Sequence, residues 1–240
     1  MEQPHTLGVY TPAQTVLENV ASKFLIEGLL HAQKKTVVVL HEIRAHLKVG
    51  MTENDARLLA LEIFKQHGVT KHWHRPYIRF GAGTTLTFNH PIQADYRLQE
   101  NDPYYLDLGP VWPAEDDTGL EYEGDYGDTF VFGTSGGTNA EAEKCAELSR
   151  KLFQEVQALW RREKLSGEAL YLYLEKRAAE LGYKLADDVL GHRLGDFPHQ
   201  KYSKERLAKL KFTPKDSLWV LEVQLVDPQN RFGAFFEDLL

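Results

Sequence analysis

The sequence predicts an α+β protein in which helices pack against antiparallel strands and the whole order runs through twice. Apolar residues recur at helical spacing over long stretches on either side of a β-rich middle. Short strand-like runs are bounded by Gly and Pro. Both halves read as long helix, capped turn, second helix, stopping glycine and strands. Thr52 to Gly68 spans 16 residues, Ser166 to Gly182 spans 16 as well, and the two units are offset by 114.

Each element follows from local chemistry. Residues 13–47 form a long helical stretch; Val37, Val38 and Val39 are poor helix formers, but no breaker interrupts the pattern. Val49-Gly50-Met51 is a turn. Thr52 is an N-cap with Asp55 three residues on. Ala56, Leu59, Ala60, Ile63 and Phe64 make one apolar face, and Gly68 stops that helix. Strands are expected at Tyr77–Phe80, at Tyr104–Leu108 and at Asp128–Phe132, with a flexible joint at residues 134–138. A helix over 139–163 carries the stripe Cys145, Leu148, Leu152, Val156, Leu159 and Trp160, which makes Cys145 a packed thiol rather than a nucleophile. Ser166 caps the next helix. Leu218–Leu225 and Phe232–Leu239 are strands joined by a hairpin turn at Asp227-Pro228-Gln229-Asn230.

Bulk properties set the class. The 240 residues fit one domain over 1–240, with 1–15 as an N-terminal extension and no separate N-terminal domain. A net charge of −7 argues against nucleic acid. No run of 18 apolar residues exists, and the N-terminus has no apolar segment of a secretory signal. One cysteine excludes an internal disulfide and fits a reducing, cytoplasmic setting.

Four acids interrupt otherwise apolar strands. Asp107 lies between Leu106 and Leu108, and Glu222 between Leu221 and Val223; Glu237 follows Phe235-Phe236, and Asp128 opens its strand. One acid in a strand is a solvent-facing position. The repeat offset, however, places Asp107 opposite residue 221, next to Glu222, so that the halves bring carboxylates together. Converging carboxylates cannot all stay ionised unaided, and a pair of divalent cations is the economical answer. His192, flanked by Gly191 and Gly195, presents an imidazole, with His199 seven residues on and His90 17 residues ahead of Asp107. His72 and His74 are two apart, the spacing that puts side chains on one face of a strand. Beside Tyr77 and Arg79 they read as a substrate-pocket wall, with a second metal site as the alternative. Arg79 and Arg193 are candidates to meet a substrate carboxylate.

These residues resemble the pita-bread metallopeptidase family of methionine aminopeptidase, aminopeptidase P, prolidase and creatinase, from about residue 20 onward. The resemblance implies a curved antiparallel sheet flanked by helices, with an internal pseudo-twofold repeat. It also implies two metal ions, Mn, Co, Fe or Zn, held by Asp107 in LDLG, Asp128 in GDTF, His192 in GHRLG, Glu222 in VLEVQ and Glu237 in AFFED. Asp128 and Glu237 then bridge, Asp107 chelates one ion, and His192 and Glu222 bind the other. Glu222 shuttles a proton, and His90 and His199 hydrogen-bond the substrate or the oxyanion. Two departures stand out. Asp107 and Asp128 are 21 apart, about twice the family's usual separation, which keeps Asp125 and Asp117 as rivals for the second Asp. Arg193 replaces a family glycine.

The implied activity is metal-dependent hydrolysis at a free N-terminus of a short or Xaa-Pro peptide, by a water shared between the ions. The alternatives are a creatinase-like enzyme acting on a small amino-acid-derived C–N substrate, an iron-dependent redox enzyme, and a peptide-binding scaffold without catalysis. The resemblance leaves a homodimer open.

Overall fold

The structure, a computed structural model, describes residues 12–133 and 139–240. The joint expected at 134–138 and most of the N-terminal extension lie outside the described residues. The first half contains α1 (Pro12–Leu17), α2 (Ile26–His46) and α3 (Glu53–Gln66). Its strands are β1 (Lys71–His72), β2 (Tyr77–Phe80), β3 (Pro103–Leu108), β4 (Pro110–Pro113), β5 (Glu121–Glu123) and β6 (Tyr126–Val131). The second half contains α4 (Ala140–Glu163) and α5 (Gly167–Glu180), then β7 (Lys184–Leu185), β8 (His192–Arg193), β9 (Trp219–Val226) and β10 (Gly233–Leu239).

Local signals set several boundaries as expected. Thr52 and Asp55 form a reciprocal capping box at the start of α3. The Ser166 side chain accepts from the Ala169 N–H and starts α5. Gly68 and Gly182, just beyond α3 and α5, take positive φ of 76° and 85°. The stretch expected as one helix over 13–47 is instead broken between α1 and α2, because tertiary partners take over its polar groups. The buried Glu18 carboxylate accepts from Lys215 N (2.6 Å) and Trp219 Nε1 (2.9 Å). The Ala21 N–H donates to Asp196 (3.2 Å), and the Leu25 N–H to the Tyr122 hydroxyl (3.1 Å). With donors and acceptors satisfied this way, the helical ladder is not needed there.

The large sheet is antiparallel throughout, in the order β2-β3-β6-β10-β9-β7, with β8 also paired to β9. The repeat read from the sequence is visible in that order. The β3–β6 hairpin of one half lies beside the β10–β9 hairpin of the other, with β6 against β10 at the centre. A second, smaller sheet, β1-β4-β5, rises from the β3–β6 connection.

Helices cover one face of the large sheet. Phe153 of α4 packs edge-on against Phe236 of β10 at 5.0 Å between ring centroids, and Arg44 of α2 lies over Phe130 of β6 at 4.1 Å. Cys145 is fully buried in this layer, and burial pushes its thiol up to about 12, as a packed residue requires. Among the described residues, no helix is long and apolar enough to cross a membrane.

Candidate metal centre

Strand register assembles the site. Asp107 on β3 stands opposite Gly127 on β6, Gly127 opposite Glu237 on β10, and Glu237 opposite Glu222 on β9. Residues directly opposite each other project to the same side of a sheet. The three carboxylates therefore share the face turned away from the helices. Gly127 leaves the middle of that row open: a Cβ there would lie 2.8 Å from Glu237 Oε1. Asp125, two residues earlier, falls on the same side and fills the gap with its carboxylate.

Two imidazoles approach Asp125, one at each carboxylate oxygen. His74 Nε2 lies 3.3 Å from Asp125 Oδ1 and 3.3 Å from Asp107 Oδ1. His192 Nε2 lies 3.0 Å from Asp125 Oδ2. Each ring is anchored through Nδ1 to the next residue's carbonyl, His74 to Arg75 O (2.8 Å) and His192 to Arg193 O (2.9 Å). His74, Asp107 and Asp125 each offer one ligand atom, all within 4.8 Å of one another, and so do Asp125, His192 and Glu237. Glu222 lines the same cavity, and one of its oxygens, Oε2, accepts from the Gly191 N–H at 2.6 Å.

The electrostatics are those of a site short of positive charge. Burial pushes Asp107 up to about 7 against the pull of His74, and it raises Glu222 and, well above the usual range, Glu237. Asp125 goes the other way: burial opposes its charge, but His192 and His74 outweigh burial and hold it low. Burial alone would lower both histidines, yet Asp125 lifts His192 to about 9, and Asp107 with Asp125 raises His74. Glu237 Oε1 and Asp125 Oδ2 are enclosed with no hydrogen-bond donor. His192 touches Asp125 Oδ2 without hydrogen-bond alignment. Buried anionic oxygens without donors are costly unless a cation meets them. The oxygen-rich donor set with imidazoles fits divalent metal ions.

A cavity of about 340 Å³ opens over these groups. Trp73 and His199, with ring centroids 5.4 Å apart, line it together with Phe88, Lys204 and Arg206. His199 is held by Glu123 of β5, which takes its main-chain N–H (2.9 Å) and lies 2.8 Å from its Nδ1. The β4–β5 hairpin, inserted between the two Asp-bearing strands, thus orients a cavity histidine. It also accounts for the long separation between the first and second Asp.

The structure corrects five expectations. Asp128 is not in the cluster. It projects to the helix-covered face and pairs with Arg150 of α4 at 2.8 Å, because it lies three residues, an odd number, from Asp125 in an extended strand. The rival Asp125 occupies the position expected for Asp128, while Asp117 is exposed in the β4–β5 turn. His90 is exposed and contacts Thr87 (3.1 Å) rather than the cavity. His72 is exposed as well. The strand ends with it, so the alternation that would have paired it with His74 does not continue. Arg79 is buried away from the cavity and donates to the carbonyls of Thr87 (2.9 Å), His90 (2.6 Å) and Pro91 (2.7 Å). It braces the loop that carries Phe88. Arg193 is buried too and donates to Asn19 O (2.7 Å) and Leu194 O (3.1 Å). Neither guanidinium is free for a substrate.

Asp107, His192, Glu222, Glu237, His199, His74 and Tyr77 do line the cavity. Sequence reasoning missed Lys204, Arg206 and Glu123. Nothing in their local sequence marks them. A signal for Asp125 was present: Asp128 shares its parity with the bulky Tyr126 and Phe130, which mark the helix-packed face, whereas Asp125 shares its parity with Gly127 and Thr129.

Comparison with known proteins gives the family and the fold. The model of metallopeptidase family M24 matches residues 27–240, and the chain belongs to that family. A prolidase from Thermococcus sibiricus superposes with a TM-score of 0.72 at 17% identity over 95% of this chain and 59% of that one. The X-Pro aminopeptidase of Thermotoga maritima gives 0.69 at 15% identity, over 89% of this chain and 57% of that one. The methionine aminopeptidase of Thermotoga maritima gives 0.62 at 16%, over 96% and 93%. The chain thus spans under two thirds of the length of the X-Pro aminopeptidase and the prolidase. The shared fold is the pita-bread arrangement of an antiparallel sheet flanked by helices. No curated protein matches the chain.

Proposed function

We propose that this chain is a two-metal hydrolase that removes the N-terminal residue from short peptides, including Xaa-Pro peptides. The observation that carries the reading is the buried row of Asp107, Asp125, Glu237 and Glu222 with His192, at the floor of a cavity of dipeptide size. In this reading Asp107, Asp125, His192, Glu222 and Glu237 would together hold the two ions. Divalent ions held there supply Lewis acidity, lowering the pKa of water and polarising a carbonyl.

The chain's own groups do the rest. The acids attract a protonated peptide amine and orient it over the floor. Glu222 keeps one carboxylate oxygen on the Gly191 N–H, and its other oxygen is available to take a proton from the attacking water and deliver it to the leaving amine. His199, fixed through Nδ1 by Glu123, presents Nε2 to the carbonyl oxygen as negative charge develops there. Trp73 and Phe88 exclude water from the sides, and Arg206 and Lys204 meet the carboxylate end of a short peptide.

The test is a screen of Xaa-Pro dipeptides, Met-peptides and small amides with protein stripped by chelator and reloaded with manganese or cobalt. The proposal expects hydrolysis that disappears with chelation and returns with metal. Hydrolysis indifferent to chelation, or confined to non-peptide amides, contradicts it.

A further inference from the structure

His74 lies 3.3 Å from both Asp107 and Asp125, so Asp125 meets an imidazole at each of its carboxylate oxygens. His74 Nε2 reaches Asp125 Oδ1 while His192 Nε2 reaches Asp125 Oδ2, at 3.3 Å and 3.0 Å. Both rings are fixed through Nδ1 by the carbonyl of the following residue, at 2.8 Å and 2.9 Å. A carbonyl at Nδ1 fixes the proton there and leaves the Nε2 lone pair of a neutral ring facing the carboxylates, the outer support that metal-binding imidazoles need. His74 is also seated deliberately. A Cβ on Gly109 would lie 2.2 Å from its Cδ2 and 2.3 Å from its Nε2, so the backbone after β3 approaches the ring as only glycine allows. Trp73 packs across both imidazoles, with ring centroids 4.2 Å from His74 and 4.8 Å from His192. Glu237 Oε1 is buried without a hydrogen-bond donor, and Asp125 Oδ2 has only the unaligned His192 Nε2 at 3.0 Å, so a cation would satisfy both oxygens.

We propose that His74 is a direct ligand of the ion held by Asp107, so that each ion of the pair carries one imidazole and the two half-sites are chemically alike. This rests on the two-metal reading above. Its consequence is a shift in metal preference. A second imidazole moves the site away from manganese and magnesium and towards zinc, cobalt and iron.

The experiment is X-ray absorption on chelator-stripped protein reloaded with two equivalents of zinc, together with metal titration by calorimetry. Wild type is expected to take up two zinc ions and to show one imidazole per zinc on average. His74→Ala is expected to halve that average and to weaken one of the two binding events on the order of 10–100-fold or more. Gly109→Ala, which keeps the imidazole but pushes it aside, should move both readouts in the same direction. Circular dichroism distinguishes a misfolded variant, and the wild-type imidazole count needs no variant at all. Two zinc ions sharing a single imidazole overturn this proposal and leave the two-metal reading standing. Uptake of fewer than two ions by wild type overturns both.

Discussion

Exchanging Asp128 for Asn separates a structural acid from a metal-binding one. Asp128 is 5% exposed on the helix-covered face, and burial pushes it up to about 6 despite Arg150 at 2.8 Å. The native state thus binds this proton more tightly than the unfolded chain, whose Asp titrates near 3.8. The associated stability is greatest below the unfolded value and is lost as pH rises through about 6. At about 1.4 kcal/mol per pH unit, keeping Asp128 ionised at pH 7 costs the fold roughly 3 kcal/mol. Asn removes that charge yet keeps an oxygen for the Arg150 Nε and the Thr129 N–H, which donate to Oδ1 at 2.8 Å and 2.7 Å. Arg150 remains solvent-accessible enough to be hydrated. Asp128→Asn is expected to raise stability at pH 7 by about 1–3 kcal/mol, a Tm increase of several degrees, with metal content unchanged. Asp125→Asn is expected to lose bound metal, because it removes the carboxylate that faces both imidazoles. Thermal denaturation and elemental analysis of the two variants decide the matter. Loss of metal in Asp128→Asn with full loading of Asp125→Asn would reverse the two roles.

Other consequences are equally direct. His192 is raised to about 9, so metal uptake at pH 7 must displace its proton at a cost of roughly 3 kcal/mol; affinity should climb about tenfold per pH unit towards pH 9 from this group alone, and calorimetry at several pH values measures the slope. In metal-free protein the same ion pair stabilises fully below pH 6.5 and its contribution is lost as pH rises through about 9, so chelated protein should melt earlier at pH 9 than at pH 6.5 once other groups are matched. Arg79→Leu leaves Glu53 buried without its cation and strips three carbonyls of a donor, and urea denaturation should register a loss of about 3–5 kcal/mol. Thr52→Ala removes one side of the α3 capping box and should cost about 1 kcal/mol in the same assay.

The elements read most clearly from sequence are those fixed by local chemistry. The Thr52 and Ser166 caps, the glycines at 68 and 182, and the β9–β10 hairpin all lie where side-chain spacing puts them. The duplicated order was legible too, and it placed Asp107 and Glu222 on equivalent strands. What was not legible depends on contacts distant in the chain. The break after α1 is made by Asp196, Tyr122, Lys215 and Trp219, none of which is near in sequence. Arg79 and Arg193 look like free cations until the carbonyls that engage them are seen. The fate of Asp128 turned on strand parity, since a single-residue step exchanges the two faces of a sheet. His74 and His72 were separated by the end of a two-residue strand, which no alternation rule foresees.

Asp107, Asp125, His192, Glu222 and Glu237 are proposed to enclose a pair of divalent ions. Anomalous diffraction from crystals loaded with zinc or manganese would locate them. Two peaks flanking the Asp125 carboxylate, one towards Asp107 and one towards His192, are the expected result. A floor without anomalous density at saturating metal, or a peak beside Asp128 instead, contradicts the account.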